Sequence, residues 1–373
     1  MGKKIKVCCF CEKWESGGIE SFLANVIRHF DMKKFQVDIV SVCLCPSIFT
    51  PLLQDLGVRF FELSGRQRSL IQNYRLFFAL LQREQYDIVH FNLFHGLSLV
   101  YVRIARKMGV PMRIAHSHNT ALRKSITRPL KQMLHYIAKK AFTKEATDLW
   151  ACSKSAAEFL FSKTVLERKG FRFIPNGIEI ERFRFDPQAR EQVRAELGLA
   201  GKFVIGNVGR LCYQKNQSFL LDVFAQVKQR KPESCLLLVG EGELLKELTE
   251  RAQRLGIANS VILYGVTSHV ERLLWAMDVF VMPSRFEGLP VTSIEAQASG
   301  VPCIFSEAVT KECTIVRGVR FLPLSAPVSQ WAQVIIHVGV KNERTVVPPI
   351  FLRTDFDMDH VAREIANHYW GVK

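Results

Sequence analysis

The chain has 373 residues, 48% of them hydrophobic and 23% charged, the proportions of a globular protein with room for two or three cores; they exclude a disordered chain or a small disulfide-stapled scaffold. The formal net charge of +16 is lopsided: 28 basic and 13 acidic side chains up to Asn176 leave +15, and 23 against 22 after it leave +1. No apolar run nears the roughly 18 residues of a membrane span, and the charge of the first half points to a polyanionic partner.

In chain order, Met1-Gly2-Lys3-Lys4-Ile5-Lys6 leads into a short apolar run, residues 7–10, before charge returns at Glu12 and Lys13. That run is too short for a signal peptide, and Lys6 stands where an N-myristoylation signal takes Ser or Thr. Residues 5–10 read as a buried strand, Ser16-Gly17-Gly18 as a loop and 19–30 as a helix. Segments 37–44, 88–92, 113–115 and 149–151 read as further strands, with helical periods between them. Continuous apolar strands alternating with helices predict a parallel sheet covered on both faces. Residues 176–200 are charged and mixed, as in a linker. The same grammar then restarts with a strand at 203–208, a polar loop at 209–216 and a helix at 217–228. Strands follow at 236–239, 261–263, 279–282 and 303–305. The pattern predicts an α/β chain of two Rossmann-like domains, 1–176 and 177–358, with a last helix (359–373) packing back on the first. Ligands of such sheets bind beyond the carboxyl ends of the strands, so the expected site is the cleft between facing domains. Of the ten cysteines, Cys8, Cys9, Cys11, Cys43, Cys45, Cys235 and Cys303 lie in or near strand-like runs. None shows zinc spacing, and they read as reduced, buried thiols.

Three loops suggest chemistry. Gly17-Gly18 is either a plain tight turn or a place where a helix N-terminus meets an anion. It is no G-x-G-x-x-G fingerprint, and no Walker A pattern occurs, which argues against a dinucleotide dehydrogenase. In Gly209-Arg210-Leu211-Cys212-Tyr213-Gln214-Lys215-Asn216, two cations sit at a strand end; they either clamp a diphosphate or are simply solvated. The stretch 278–296 ends a strand at Pro283, crosses a Gly/Pro loop and enters a helix near Pro290, with seven residues between Glu287 and Glu295. Carboxylates suit sugars because each accepts hydrogen bonds from two vicinal hydroxyls.

The order and spacing of these segments resemble the retaining GT-B glycosyltransferases of glycosyltransferase family 4, over nearly the whole chain. Gly17-Gly18-Ile19-Glu20 is similar to the family's Gly-Gly-x-Glu loop, and Pro175-Asn176-Gly177-Ile178 to its Pro-Asn-Gly-Ile/Val segment. Residues 209–216 resemble its Gly-Arg-Leu…Lys-Asn loop, Val239-Gly240-Glu241-Gly242 its Val-Gly-x-Gly turn, and Glu287…Glu295 its Glu-x₇-Glu motif. The resemblance implies transfer of a hexose from a nucleotide-diphosphate sugar, by default a UDP-sugar, to a glycan or lipid-linked sugar acceptor in capsular or exopolysaccharide assembly. It implies that 1–176 binds the acceptor and 177–358 the nucleotide-sugar, that Arg210 and Lys215 hold the pyrophosphate, and that Glu287 holds the donor sugar with the backbone of Gly288 and Leu289. It also implies that Glu295 holds the ribose, that Gly17 and Gly18 approach the donor, and that the Tyr264-Gly265-Val266 turn meets the base. Arg113-Ile114-Ala115-His116-Ser117-His118-Asn119 resembles the segment carrying a histidine beside the donor sugar; His118 matches best and His116 next. No cofactor or metal is implied, because preorganised cations carry the leaving diphosphate. Asp355-Phe356-Asp357 contains the metal motif of the other large glycosyltransferase fold, but it follows no apolar strand and reads as a helix N-cap.

Residues 120–144 carry Arg123, Lys124, Arg128, Lys131, Lys139, Lys140 and Lys144 without an acid. Leu122, Ile126, Leu130, Met133, Leu134, Ile137 and Phe142 recur among them at helical spacing, and Pro129 suits a first turn. The pattern is either an ordinary helix with its apolar face in the core or a membrane-surface helix. The charge of the N-terminal half favours an anionic membrane and a cytoplasmic, peripheral location at the inner face of the plasma membrane. Competing readings are a catalytically idle GT-B scaffold subunit, a sugar-nucleotide epimerase and a nucleic-acid binder. Intact Arg210, Lys215, Glu287 and Glu295 speak against the first, their order against the second. No nucleic-acid recognition signature supports the third.

Overall fold

The computed structural model describes every residue except 1–3, 67–68, 120–121, 123–127, 163, 165–166, 168–169, 342–353 and 373. The chain divides into two units, Met1–Gly177 with Asp355–Lys373, and Ile178–Thr354.

The first unit holds β1 (Ile5–Trp14), β2 (Phe35–Leu44), β3 (Arg59–Glu62), β4 (Ile88–Leu93), β5 (Met112–Ser117), β6 (Asp148–Ala151) and β7 (Phe171–Phe173). They pair in parallel in the order β3-β2-β1-β4-β5-β6-β7. Between them run α1 (Gly18–Arg28), α2 (Phe49–Asp55), α3 (Leu70–Glu84), α4 (Leu99–Lys107), α5 (Arg128–Phe142) and α6 (Lys154–Leu160). The second unit opens with α7 (Ile180–Phe183) and α8 (Pro187–Glu196). Its strands are β8 (Phe203–Val208), β9 (Ser234–Val239), β10 (Val261–Gly265), β11 (Val279–Met282), β12 (Cys303–Ser306) and β13 (Arg320–Leu322), parallel in the order β10-β9-β8-β11-β12-β13. Its other helices are α9 (Gln217–Arg230), α10 (Leu245–Arg254), α11 (Val270–Ala276), α12 (Val291–Ala298) and α13 (Val328–Lys341). The last helix, α14 (Met358–Trp370), belongs to the first unit.

Every residue of β4, β8, β9, β11 and β12 is buried, because helices cover both faces of each sheet. The strands absent from the sequence reading are β3, β7 and β13, each at a sheet edge, three or four residues long and only partly covered. An edge strand buries less and so lacks the continuous apolar run. The expected linker is also corrected, since residues 180–196 fold as α7 and α8. Arg190 and Arg194 of α8 converge on Asp278, at 2.6 and 3.3 Å, and donate to the carbonyls of Trp275, Met277, Ala276, Leu199 and Lys202. Their charge marks buried hydrogen-bond donors, not solvated chain.

Asp357 caps α14, its side chain accepting from the Asp359 N–H at 3.1 Å, so the Asp-x-Asp segment is a helix start. α14 buries Met358, Val361, Ala362, Ile365 and Tyr369. The Tyr369 hydroxyl lies 2.6 Å from His90 Nδ1, and His90 Nε2 lies 3.1 Å from His116 Nδ1. Burial pushes His90 down to about 3, so the ring is neutral and each nitrogen needs a partner. Tyr369→Phe keeps the packing but strands His90 Nδ1. It is expected to lower unfolding stability by about 1–3 kcal/mol in urea melts; an unchanged midpoint would show that the bond contributes nothing.

Candidate functional site

β8 and β11 are neighbours in the second sheet, and the loops leaving their carboxyl ends carry Arg210, Lys215 and Glu287. Lys215 Nζ donates to Glu287 Oε1 at 2.7 Å, with both side chains largely buried. Gln214 Nε2 donates to Glu287 Oε2 at 3.0 Å and to the Phe286 carbonyl at 3.1 Å. Asn216, with φ 60° at the start of α9, donates to the Pro283 carbonyl at 3.1 Å and accepts from Arg285 Nη2 at 2.6 Å. These bonds fuse two loops some 70 residues apart in sequence into one structure (|i−j| 72 for Lys215–Glu287). Arg210 Nε bonds Glu243 Oε2 at 3.2 Å.

The Val239-Gly240-Glu241-Gly242 turn supports this edge from below. A Cβ on Gly240 (φ 128°) would stand 2.3 Å from the Gly209 carbonyl oxygen, and one on Gly242 would stand 2.3 Å from that of Leu211. Only glycine lets the turn press against the Arg210 loop, where Leu211 N–H donates to the Glu241 carbonyl at 2.9 Å.

Glu295, in α12, keeps different company from Glu287. The charged groups acting on it are Arg182 of α7 and Glu271 of α11. Arg182 donates through Nε and Nη2 to Glu271 Oε2 at 3.0 and 2.8 Å. Sequence reading passed over this pair, whose only signal was charge inside short helices. Gly288 and Leu289 are buried, whereas Tyr264 and Val266 stand exposed at the end of β10. Among the described residues of the second unit, three buried oxygens lack a hydrogen-bond partner: Ser284 Oγ after β11, Thr292 Oγ1 in the first turn of α12, and Gln217 Oε1 at the start of α9.

In the first unit, Gly17 is the N-cap of α1, and the Glu20 carboxylate folds back over it. A Cβ at Gly17 would stand 2.6 Å from Glu20 Oε2, whereas one at Gly18 would meet nothing within 4 Å. Glu20 therefore accounts for the first glycine, a role the sequence reading missed. His118 follows β5, with Nε2 3.0 Å from Asn92 Oδ1 and a side-chain bond to Asn176. Burial pushes it down to about 3, so it is a neutral hydrogen-bonding ring at pH 7. His116 is fully enclosed, while His118 keeps partial exposure at the strand end.

The apolar stripe of α5 is not core. Leu130, Met133, Tyr136 and Ile137 are 53–65% exposed, and Lys131, Lys140 and Lys144 are exposed beside them. Lys139 corrects the expected basic face. It is half-buried, and its Nζ donates to the carbonyls of Glu158 and Phe159 at 2.6 and 3.0 Å, bonds that hold its charge against the protein. Arg123 and Lys124 lie outside the described residues, and of Arg128 only its place as the first residue of α5 is described. Among the described residues, no helix is long and apolar enough to cross a membrane, and no three His, Cys, Asp or Glu side chains cluster as metal ligands. The ten cysteines are free, eight of them buried and Cys43 and Cys45 partly exposed.

Residues 16–182 match the description Glycosyltransferase Family 4, and residues 189–318 match Glycosyl transferases group 1. The chain is 32% identical over 362 residues to EpsF of Bacillus subtilis, a protein named as a glycosyltransferase, covering 95% of this chain and 93% of that one. It is 29% identical to the UDP-Gal:alpha-D-GlcNAc-diphosphoundecaprenol alpha-1,3-galactosyltransferase of Escherichia coli, covering 75% and 74%. The fold matches the crystal structure of Anabaena HepE in complex with UDP-glucose at a TM-score of 0.78, with 21% identity, over 98% of this chain and all of that one.

Burial, outweighing every neighbouring charge, raises Glu20 and Glu295 from 4.5 to about 7. Both hold their protons more tightly folded than unfolded. The stability this contributes is full below about 4.5 and is lost as pH rises through about 7. Glu295→Gln, which stays neutral, is expected to flatten that decline for the second unit in thermal melts run across this range. An unaltered slope would mean that Glu295 titrates as an ordinary carboxyl.

Proposed function

The chain belongs to the family 4 glycosyltransferases, enzymes of the two-unit GT-B fold, and on that premise we propose that it transfers a hexose from a UDP-sugar to a lipid-linked sugar acceptor in surface polysaccharide assembly, with retention at the anomeric carbon. The observation that carries this reading is the fused edge of β8 and β11, where Lys215 and Gln214 hold Glu287, with Arg210 on the same loop as Lys215 and paired with Glu243. Cleaving a sugar from a diphosphate creates an electron-poor, oxocarbenium-like carbon and a leaving group rich in negative charge. Fixed cations at the leaving group favour that state over the ground state.

The two ion pairs define an exchange. The donor's diphosphate takes Lys215 from Glu287 and Arg210 from Glu243, and the released Glu287 carboxylate accepts hydroxyls of the donor sugar. The backbone of Gly288 and Leu289 holds the sugar from the other side, Glu295 accepts the ribose hydroxyls, and the backbone at Val266 meets the base. The family resemblance also assigns donor contacts to Gly17, Gly18 and His118, the last as a neutral hydrogen-bonding group. Because two protein cations balance the leaving charge, this reading assigns no metal. The departing phosphate accepts the acceptor's proton on the face it leaves. Supporting the donor and acceptor classes, HepE was crystallised with UDP-glucose, and the Escherichia coli relative is named for UDP-Gal and a diphosphoundecaprenol-linked GlcNAc.

The exposed face of α5 gives the lipid side of the reading. Four large apolar side chains beside Lys131, Lys140 and Lys144 suit an anionic membrane surface, where each basic residue adds about 1 kcal/mol.

Two experiments test this reading. UDP and UDP-sugars, in preference to GDP and ADP forms, are expected to stabilise the protein by roughly 2.7 kcal/mol at about 100 times their dissociation constant, without added metal. Lys215→Ala should then cut transfer by about 10²–10³-fold, and a protein that no nucleotide stabilises would sink the proposal. Separately, replacing Leu130, Met133 and Ile137 with Ser should abolish sedimentation with anionic vesicles and leave the UDP response intact, whereas Lys139→Gln should change it little. Undiminished vesicle binding by the triple variant would remove α5 from the membrane contact.

A further inference from the structure

Asn92 is the penultimate residue of β4, a strand that is otherwise apolar but for His90. It is fully buried. Burying an amide in a central strand costs free energy that an aliphatic side chain would not, so its bonds need an account. The side-chain nitrogen donates to the carbonyls of Phe10 at 3.4 Å and His90 at 3.3 Å. The side-chain oxygen, Oδ1, lies 3.0 Å from His118 Nε2. The two carbonyls decide which way the amide points. Turned over, Oδ1 would face both carbonyl oxygens with no proton between them.

The oxygen facing His118 sets the chemistry of that ring. A carboxamide oxygen only accepts, so Nε2 must carry a proton. Burial keeps the ring neutral at pH 7, and a neutral imidazole has one N–H. The proton is therefore on Nε2, and Nδ1 keeps its lone pair. The ring is also held in place. Phe22 of α1 and His116 pack against it, at 5.3 and 4.0 Å between ring centroids, and Asn176 bonds it as well. His116 is itself pinned, its Nδ1 3.1 Å from His90 Nε2. His118 is partly exposed just beyond β5, within reach of a ligand, whereas Asn92 is sealed behind it.

We infer that Asn92 is a positioning residue for the donor sugar: its Oδ1 holds the His118 proton on Nε2, so that Nδ1 meets the sugar as an acceptor of one hydroxyl proton. This rests on the glycosyltransferase reading above and adds what fixes the polarity of His118. The opposite tautomer would turn an N–H toward the ligand and leave Nε2 and Asn92 Oδ1 as two facing acceptors. The acceptor form suits the reaction. A hydroxyl that donates its proton gains electron density on its oxygen. A neutral ring brings no positive charge near a carbon that becomes electron-poor as the diphosphate leaves. Asn92 reaches the substrate only through His118, which is why the strand pattern of residues 88–92 carries no sign of it.

The test reads the proton directly. Long-range proton–nitrogen NMR spectra of protein isotopically labelled at histidine, with His118 assigned by the signal lost in His118→Gln, are expected to show the proton on Nε2 in the wild type and a shift toward Nδ1 in Asn92→Leu. Calorimetry then gives the consequence. In Asn92→Leu the dissociation constant for UDP-hexose, divided by that for UDP, should rise about 3–10-fold, the loss of one hydrogen bond, while UDP itself binds as before. A wild-type ring with its proton on Nδ1 overturns the inference without any ligand or Asn92 variant. A variant that keeps the proton on Nε2 shows that Asn92 does not set it, and overturns the inference too. UDP and UDP-hexose weakening together would make the role structural, and an unchanged ratio with a displaced proton would take Nδ1 off the sugar; either result overturns it. A wild type that binds neither UDP nor any UDP-hexose overturns the reading on which the inference rests, and the spectra still decide the tautomer.

Discussion

A strand that runs parallel to its neighbour cannot reach it through a hairpin, and the chain must cross back over the sheet, usually through a helix. All thirteen strands described here are parallel, seven in one sheet and six in the other. Helices therefore cover both faces of each sheet, the central strands are mostly apolar, and every strand delivers its outgoing loop to the same edge of its sheet. Packing takes up the faces, so polar side chains that need solvent or a ligand collect at that edge. Arg210, Lys215 and Glu287 stand there in one unit, and Glu12, His95 and His118 in the other.

The charged groups at these edges are not idle in the structure. Lys215 sits on Glu287, Arg210 on Glu243, and Glu12 on His95. Each pair lowers the cost of holding a charge partly out of water. On the function proposed above, a diphosphate would offer Lys215 and Arg210 the negative charge their glutamates now supply, exchanging one satisfied arrangement for another. The histidines behave in two ways for the same reason. His90 and His116 are enclosed and His118 is largely so, with no carboxylate beside them, and burial holds them neutral; His95 faces Glu12 and is pushed toward its charged form.

Much of this was legible in the residues. The apolar runs located the central strands because a strand covered on both faces needs apolar side chains at most positions. The edge strands β3, β7 and β13 escaped because one side of each lacks a neighbour, which relaxes that requirement. The order of Gly209-Arg210…Lys215 and Glu287…Glu295 pointed to the donor chemistry, with the donor sugar given to Glu287 and the ribose to Glu295, but not to the neighbours of either. In the fold they diverge, one bound by Lys215 and Gln214, the other set among Arg182 and Glu271. The stripe on α5 read equally well as core or as membrane face, since helical periodicity marks an apolar side without saying what covers it. Lys139 looked like part of the basic face until its bonds to two α6 carbonyls, those of Glu158 and Phe159, were visible.

The sequence alone determined the family, the α/β class, the central strands and the residue types available for sugar and phosphate chemistry, because each rests on local pattern or motif order. Tertiary structure decided partnership and exposure: that Gly17 makes way for Glu20, that Gly240 and Gly242 make way for the Arg210 loop, that residues 180–196 are packed helices, and that Glu12 meets His95 across 83 positions of chain. Those facts depend on crossover connections that bring distant segments to one sheet edge. A one-dimensional pattern records what a side chain can do, but burial and charge are set by neighbours that only the folded backbone brings into range.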